Sequence, residues 1–238
     1  SGAFEIAAQY AAEQAIRTVF WSSGAEEAAG LPPANDSRLR REVKAQTQTA
    51  LGLVRNKLTL SRTAFALAFA GQTSEAEPLI KELQAEYPKD TLINGLWLPI
   101  IGAALALQNN QPEETIDLLE TAERFERAAE FYPQFLRGLA YLKLNQTEQA
   151  IIEFEKILGH RGEAPLSVVY PLAQLESARA KKDKNEYEKF FEMWRDADKD
   201  MPSLIAARKE TFAKRNARSG NGSRLQSDES RRGRNGEN

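Results

Sequence analysis

The chain has 238 residues, 42% of them apolar and 28% charged, with 32 lysines and arginines against 34 acids for a net charge of −2. That composition belongs to a globular domain with an elongated core and a tail, and its mildly acidic balance argues against specific nucleic-acid binding. There is no cysteine, which excludes disulfides and thiolate metal sites, and the most apolar stretch, Leu92 to Leu107, is too short and too broken by Asn94, Gly95, Pro99 and Gly102 to span a membrane.

Phe4 to Trp21 reads as a helix, because Phe4, Ala8, Ala11, Ala15 and Val19 recur at a spacing near 3.6. Ser22-Ser23-Gly24 breaks it, one more turn is expected from Glu26 to Ala29, and Gly30-Leu31-Pro32-Pro33 is firm punctuation. Asp36 or Ser37 can cap the next helix, Arg38 to Val54, whose apolar side is Val43, Thr47, Ala50, Leu51 and Val54. Leu58 to Ala70 follows, then a turn at Gly71-Gln72-Thr73. Ser74 with Glu77 reads as a capping box for a helix that ends near Tyr87-Pro88.

From here a pattern repeats. Ala64, the turn at Gly71, Ala76 and Ile80 stand at the same offsets as Gly138, the turn at Asn145-Gln146-Thr147, Ala150 and Phe154. A third copy lies between them, with Ala103, Ala106, the turn at Asn110-Gln111-Pro112 and Leu119; Thr115 replaces the alanine. Small residues at Gly138 and Ala150 let two helix axes approach, while Tyr141, Phe154 and Ile157 fill the space beside them. This is the physical content of a tetratricopeptide repeat, a helical hairpin of about 34 residues. One hairpin cannot bury its own apolar face, so neighbours must stack on it. The fold expected is all-α: a right-handed, tetratricopeptide-like solenoid over residues 3–212, with its clearest repeats at 57–90, 96–125 and 131–158.

Gly159 reads as a helix terminator before His160-Arg161-Gly162, and Pro165 opens an atypical terminal pair at 166–197. Its helices are expected over Leu166–Ala180 and Glu186–Ala197, with Tyr187, Phe190, Phe191 and Trp194 in the apolar stripe. Pro202 starts a capping helix at 203–213. Residues 214–238 carry a single Leu225 and an excess of four positive charges, the reading of a disordered basic tail.

Chemistry-bearing motifs are few. His160 is the only histidine and reads as a loop residue that packs or caps a helix end. No phosphate-binding glycine loop and no kinase catalytic motif occurs in the sequence, so no catalytic, cofactor or metal residues are assigned. Arg137, with Lys143 and Asn145 nearby, lies on the helix that lines the inner curve of such a repeat, where these residues could meet a ligand carboxylate. Trp97, before Pro99 at an irregular helix start, reads as core or as a groove edge. Phe131, Tyr132 and Phe135 carry the same pair of readings, and Trp194 reads as core.

The segments YPKDTLINGLWLPIIGAALAL, YPQFLRGLAYLKL, FEKILGHRG and FFEMWRDADKDMPSLIAARKE, between Tyr87 and Glu210, resemble the C-terminal tetratricopeptide region of bacterial, acidobacterial-type serine/threonine protein kinases and related signalling regulators. The resemblance covers about Arg38 to Glu210. It implies a sensory or interaction region in the bacterial cytoplasm, or outside the membrane if joined to a membrane-spanning kinase. Any kinase domain would lie upstream. The function expected is therefore a scaffold that binds a protein or peptide on its concave face, without cofactor or catalysis, with homodimerisation as a further option. A free-standing adaptor for envelope, secretion or transcription control, and a helical-toroid enzyme acting on carbohydrate, are the alternatives.

Overall fold

A computed structural model describes residues 2–22, 31–32, 36–164 and 167–211. The expected break and turn at 23–30, the start of the terminal pair at 165–166 and the tail beyond 211 lie outside the described residues. Among the described residues the chain is all-helical, with no strand. The helices are α1 (Gly2–Ser22), α2 (Ser37–Leu53), α3 (Lys57–Phe69), α4 (Thr73–Glu86), α5 (Leu98–Gln108), α6 (Pro112–Glu120), α7 (Tyr132–Lys143), α8 (Thr147–Gly159), α9 (Val169–Lys181) and α10 (Lys184–Met193). A last helix, α11, covers 202–211. A π-turn (Ile93–Trp97) leads into α5, and a 3-10 segment (Glu123–Ala129) separates α6 from α7.

Consecutive helices pack as hairpins: α3 on α4, α5 on α6, α7 on α8 and α9 on α10. Their turns are built alike. Gly71, Asn110, Asn145 and Lys182 all take positive φ, between 53° and 68°. The next residue donates its backbone N–H to the carbonyl five positions back: Gln72 to Leu67, Gln111 to Ala106, Gln146 to Tyr141 and Asp183 to Ala178. This is the Schellman closure, which satisfies carbonyls left over at a helix end and favours glycine or asparagine at the left-handed position. The first three hairpins carry those residue types. The fourth carries lysine at the left-handed position and puts Leu175 and Tyr187 where the others have small residues, so its equivalence was hidden in the sequence.

Asp36 caps α2 by accepting from the backbone N–H groups of Arg38 and Leu39, and Asn56 does the same for α3 with Leu58 and Thr59. The capping box read at Ser74 does not form. Helix α4 begins at Thr73, with Gln72 rather than Ser74 at the cap position, and the Ser74 hydroxyl donates to the Glu75 carboxylate instead. Helix α10 is shorter than expected: Trp194 closes it, and turn conformation follows to residue 196.

The close contact expected in the third clear hairpin is present. A Cβ built on Gly138 would lie 2.5 Å from Phe154 Cε1 and 2.8 Å from its Cζ, and Phe154 is fully buried. In the preceding hairpin Thr115 keeps its hydroxyl satisfied by donating to the Gln111 carbonyl at 3.0 Å. Gly138→Ala is expected to destabilise the fold. Overpacking costs about 1–3 kcal/mol, against a helix-propensity gain of about 1 kcal/mol. Gly52, exposed on α2 with nothing near its Cβ position, is the internal control. Gly52→Ala should stabilise by about 0.5–1 kcal/mol. Urea midpoints that move in the same direction for both would refute the close-contact account.

Candidate functional site

Helix α1 organises the interior. It packs along α2 and across α3. Its buried edge is Ala8, Ala12, Ala15, Ile16, Val19 and Phe20. Phe20 is the hub of an aromatic cluster: its ring centroid lies 4.8 Å from Phe69, 5.4 Å from Tyr132 and 5.5 Å from Phe135, and Phe65 lies 5.0 Å from Tyr132. Helices α1, α3 and α7 thus converge on one apolar centre, and their facing sides are filled by the protein's own rings. Tyr132 and Phe135, read from the sequence as core or groove, are core, as is Phe131.

Beside the rings lies a charged cluster. Arg62 of α3 approaches Glu13 of α1 at 3.7 Å and Glu130 at 3.5 Å, and Arg17 of α1 pairs with Glu13 at 3.3 Å. The guanidinium of Arg62 also sits 5.6 Å from the centre of the Trp97 ring. Burial and the neighbouring Glu13 charge push the Glu130 carboxyl above the usual carboxylate range, against the pull of Arg62. Burial, then the charges of Glu13 and Glu130, raise the Tyr132 phenol well above its ordinary value. Glu130 and Phe131 are both left-handed, with φ of 49° and 68°. The Ser167 hydroxyl holds this connection by donating to the Glu130 carbonyl at 3.0 Å.

Where α1 ends, a cleft of about 390 Å³ opens between it, α9, α10 and the segment that follows α10. Trp21, Tyr170, Met193, Trp194 and Met201 form its apolar walls, and Arg17 and Arg161 also line it; among the described residues no carboxylate does. The Arg161 guanidinium lies 5.6 Å from the centre of the Tyr170 ring. The Tyr170 hydroxyl donates to the Leu158 carbonyl at 2.5 Å.

The residues singled out from the sequence are dispersed. Arg137, expected to face a ligand, is buried instead: its guanidinium donates to Glu126 at 2.5 Å and to Glu153 at 2.8 Å. Burial works against its charge, but the two carboxylates hold its pKa above the ordinary value. Trp97 is buried in the π-turn rather than set on an open groove edge. Lys143 donates to the Asn110 side chain at 3.1 Å, so it ties one hairpin turn to the next, and Asn145 is exposed in its own turn. Ala64, Ala76, Ala103, Ala106 and Ala150 are buried at the hairpin contacts, and Tyr141 packs half-buried against the core. Trp194, read as core, is half-buried: it packs on Phe190 at 5.2 Å and also forms a wall of the cleft. His160 caps α8, with Nδ1 2.6 Å from the Lys156 carbonyl.

Sequence reasoning missed Arg17, Trp21, Arg161, Tyr170, Met193 and Met201 as a group. They come from segments far apart in the chain, and only the Arg161 turn and the Trp194 region had drawn attention. Among the described residues no cluster of three or more histidine, cysteine or acidic side chains is arranged to hold a metal, and no helix is long and apolar enough to cross a membrane. No family model, curated protein or solved structure matches the chain.

Proposed function

We propose that the chain is a tetratricopeptide-like solenoid that binds a protein or peptide segment, as the interaction region of a bacterial signalling protein. The observation that carries this reading is the congruence of the four hairpins, with one turn geometry recurring at Gly71, Asn110, Asn145 and Lys182. Stacks of congruent hairpins present extended surfaces on which a partner strand or helix can lie. Because Phe20 and the rings around it fill the space between α1, α3 and α7, the partner surface is the polar edge formed by the turns. Asn110, Gln111, Asn145 and Gln146 are exposed there, with Lys143 half-buried between them. These amides and the lysine suit backbone groups and acidic side chains of an extended segment.

The test is capture from a bacterial lysate on the intact chain, against a bait carrying Lys143→Glu and Asn145→Asp. Aspartate tolerates the left-handed conformation that Asn145 occupies, so the double variant should stay folded. A partner held by the native chain and released at least tenfold by the double variant is the expected result. Equal retention by both baits would remove the turn edge as the partner surface.

A further inference from the structure

We propose that the cleft between α1 and the α9–α10 hairpin is a receptor site for a small amphipathic carboxylic acid, one with an apolar body and a single negative charge. The inference goes beyond the scaffold reading and concerns a different surface.

Three features lead to it. The volume, about 390 Å³, falls in the range of small-molecule pockets. Trp21, Trp194 and Tyr170 offer ring faces, and Met193 and Met201 offer the adaptable thioether surface that accommodates varied apolar shapes. Among the described residues that line the cleft, the charged ones are both cationic, Arg17 and Arg161. Arg17 shares its guanidinium with Glu13, whereas Arg161 is exposed, rests over the Tyr170 ring and has no carboxylate partner among the described residues. A guanidinium stacked on a ring keeps its edge donors for an incoming carboxylate.

The same lining argues for one anionic head rather than a polyfunctional ligand. The Ser167 hydroxyl already donates to Glu130 and the Tyr170 hydroxyl to Leu158. A sugar or nucleotide would find few free donors, and its own hydroxyls would be set against tryptophan and methionine, a desolvation without compensation. A linear or aromatic monocarboxylate buries its body and spends its one charge on Arg161.

Two tryptophans in the wall provide the readout. In a Trp97→Phe background, which removes the one tryptophan remote from the cleft, octanoate and 3-phenylpropanoate are titrated against fluorescence. Their uncharged amides are titrated in parallel. Saturable binding of the acids is expected, about tenfold tighter than that of the amides. Arg161→Gln should remove most of that difference while leaving the helical circular dichroism unchanged. Equal binding of acid and amide would overturn the anionic subsite. So would an acid preference that survives Arg161→Gln, and failure of all four compounds to saturate at millimolar concentration would overturn the receptor site. None of these outcomes depends on the lysate partner, so loss of this site and loss of the scaffold reading are separately visible.

Discussion

Phe20→Ala is expected to lower the unfolding free energy by about 3–5 kcal/mol, the usual cost of emptying a phenylalanine site in a closed core. Phe4→Ala on the same helix should change it by less than about 0.5 kcal/mol. The two residues share a type and a helix but not an environment. Phe20 is wholly buried among Phe65, Phe69, Tyr132 and Phe135, while Phe4 is 61% exposed. The cavity left by Phe20 is walled by rings from α3 and α7 that are themselves buried, so it cannot collapse cheaply. Chemical denaturation of the two variants settles the matter. Similar midpoints for both would mean that α1 contributes no more at its C-terminal end than at its N-terminal end, which the packing forbids.

Arg179→Met is expected to be comparably severe, about 3–5 kcal/mol, because it leaves buried carboxylates without their cation. Arg179 of α9 bonds Glu176 at 2.7 Å and Glu210 of α11 at 2.5 Å, and Glu210 also accepts from the Tyr187 hydroxyl at 2.7 Å. All of these groups are buried or nearly so. Glu176→Gln should cost far less, since the pair of Arg179 with Glu210 remains. The pH dependence separates this account from simple loss of packing. Burial holds the Glu176 carboxyl above the usual range even with Arg179 present, and removal of the guanidinium raises it further. An acid whose folded pKa lies above its unfolded value takes up its proton more readily in the native state. Its destabilising effect is therefore absent at low pH and grows as the pH rises through the folded pKa. The deficit of Arg179→Met relative to the native chain should be smaller at pH 5 than at pH 8. A deficit that is flat across that interval would assign the effect to packing alone.

The hairpins were legible because their sterics are written in residue types. Gly138 faces Phe154 at a distance no Cβ tolerates, and glycine or asparagine marks the left-handed turn at 71, 110 and 145. The fourth hairpin obeys the same backbone rule with lysine at 182, which residue type alone does not announce. Burial was legible where it was periodic, as along α1, but periodicity says only that a face is covered and not what covers it. That Phe20 meets α7 could not be read from the spacing of alanines. Arg137 shows the same limit. Its position beside Gly138 placed it on the correct helix, yet its role depends on Glu126, in a 3-10 segment, and Glu153, on the facing helix. The cleft was illegible for a related reason: its walls come from α1 and from the last hairpin, and nothing local in either stretch refers to the other.

The reach of α1 across the hairpins also bears on how the domain comes apart. In a simple stack each unit leans only on its neighbours, so melting can begin at an end and spread unit by unit. The Phe20 ring packs the beginning of the chain against Tyr132 and Phe135, and Arg17 and Trp21 line the same cleft as Trp194. These are contacts of long sequence separation, which close late in folding and slow it. Once made, they fasten the first helix to the later hairpins. Hydrogen exchange in α7 and α9 should then proceed through the same opening event as exchange in α1, and the stack should unfold as one cooperative body rather than fray.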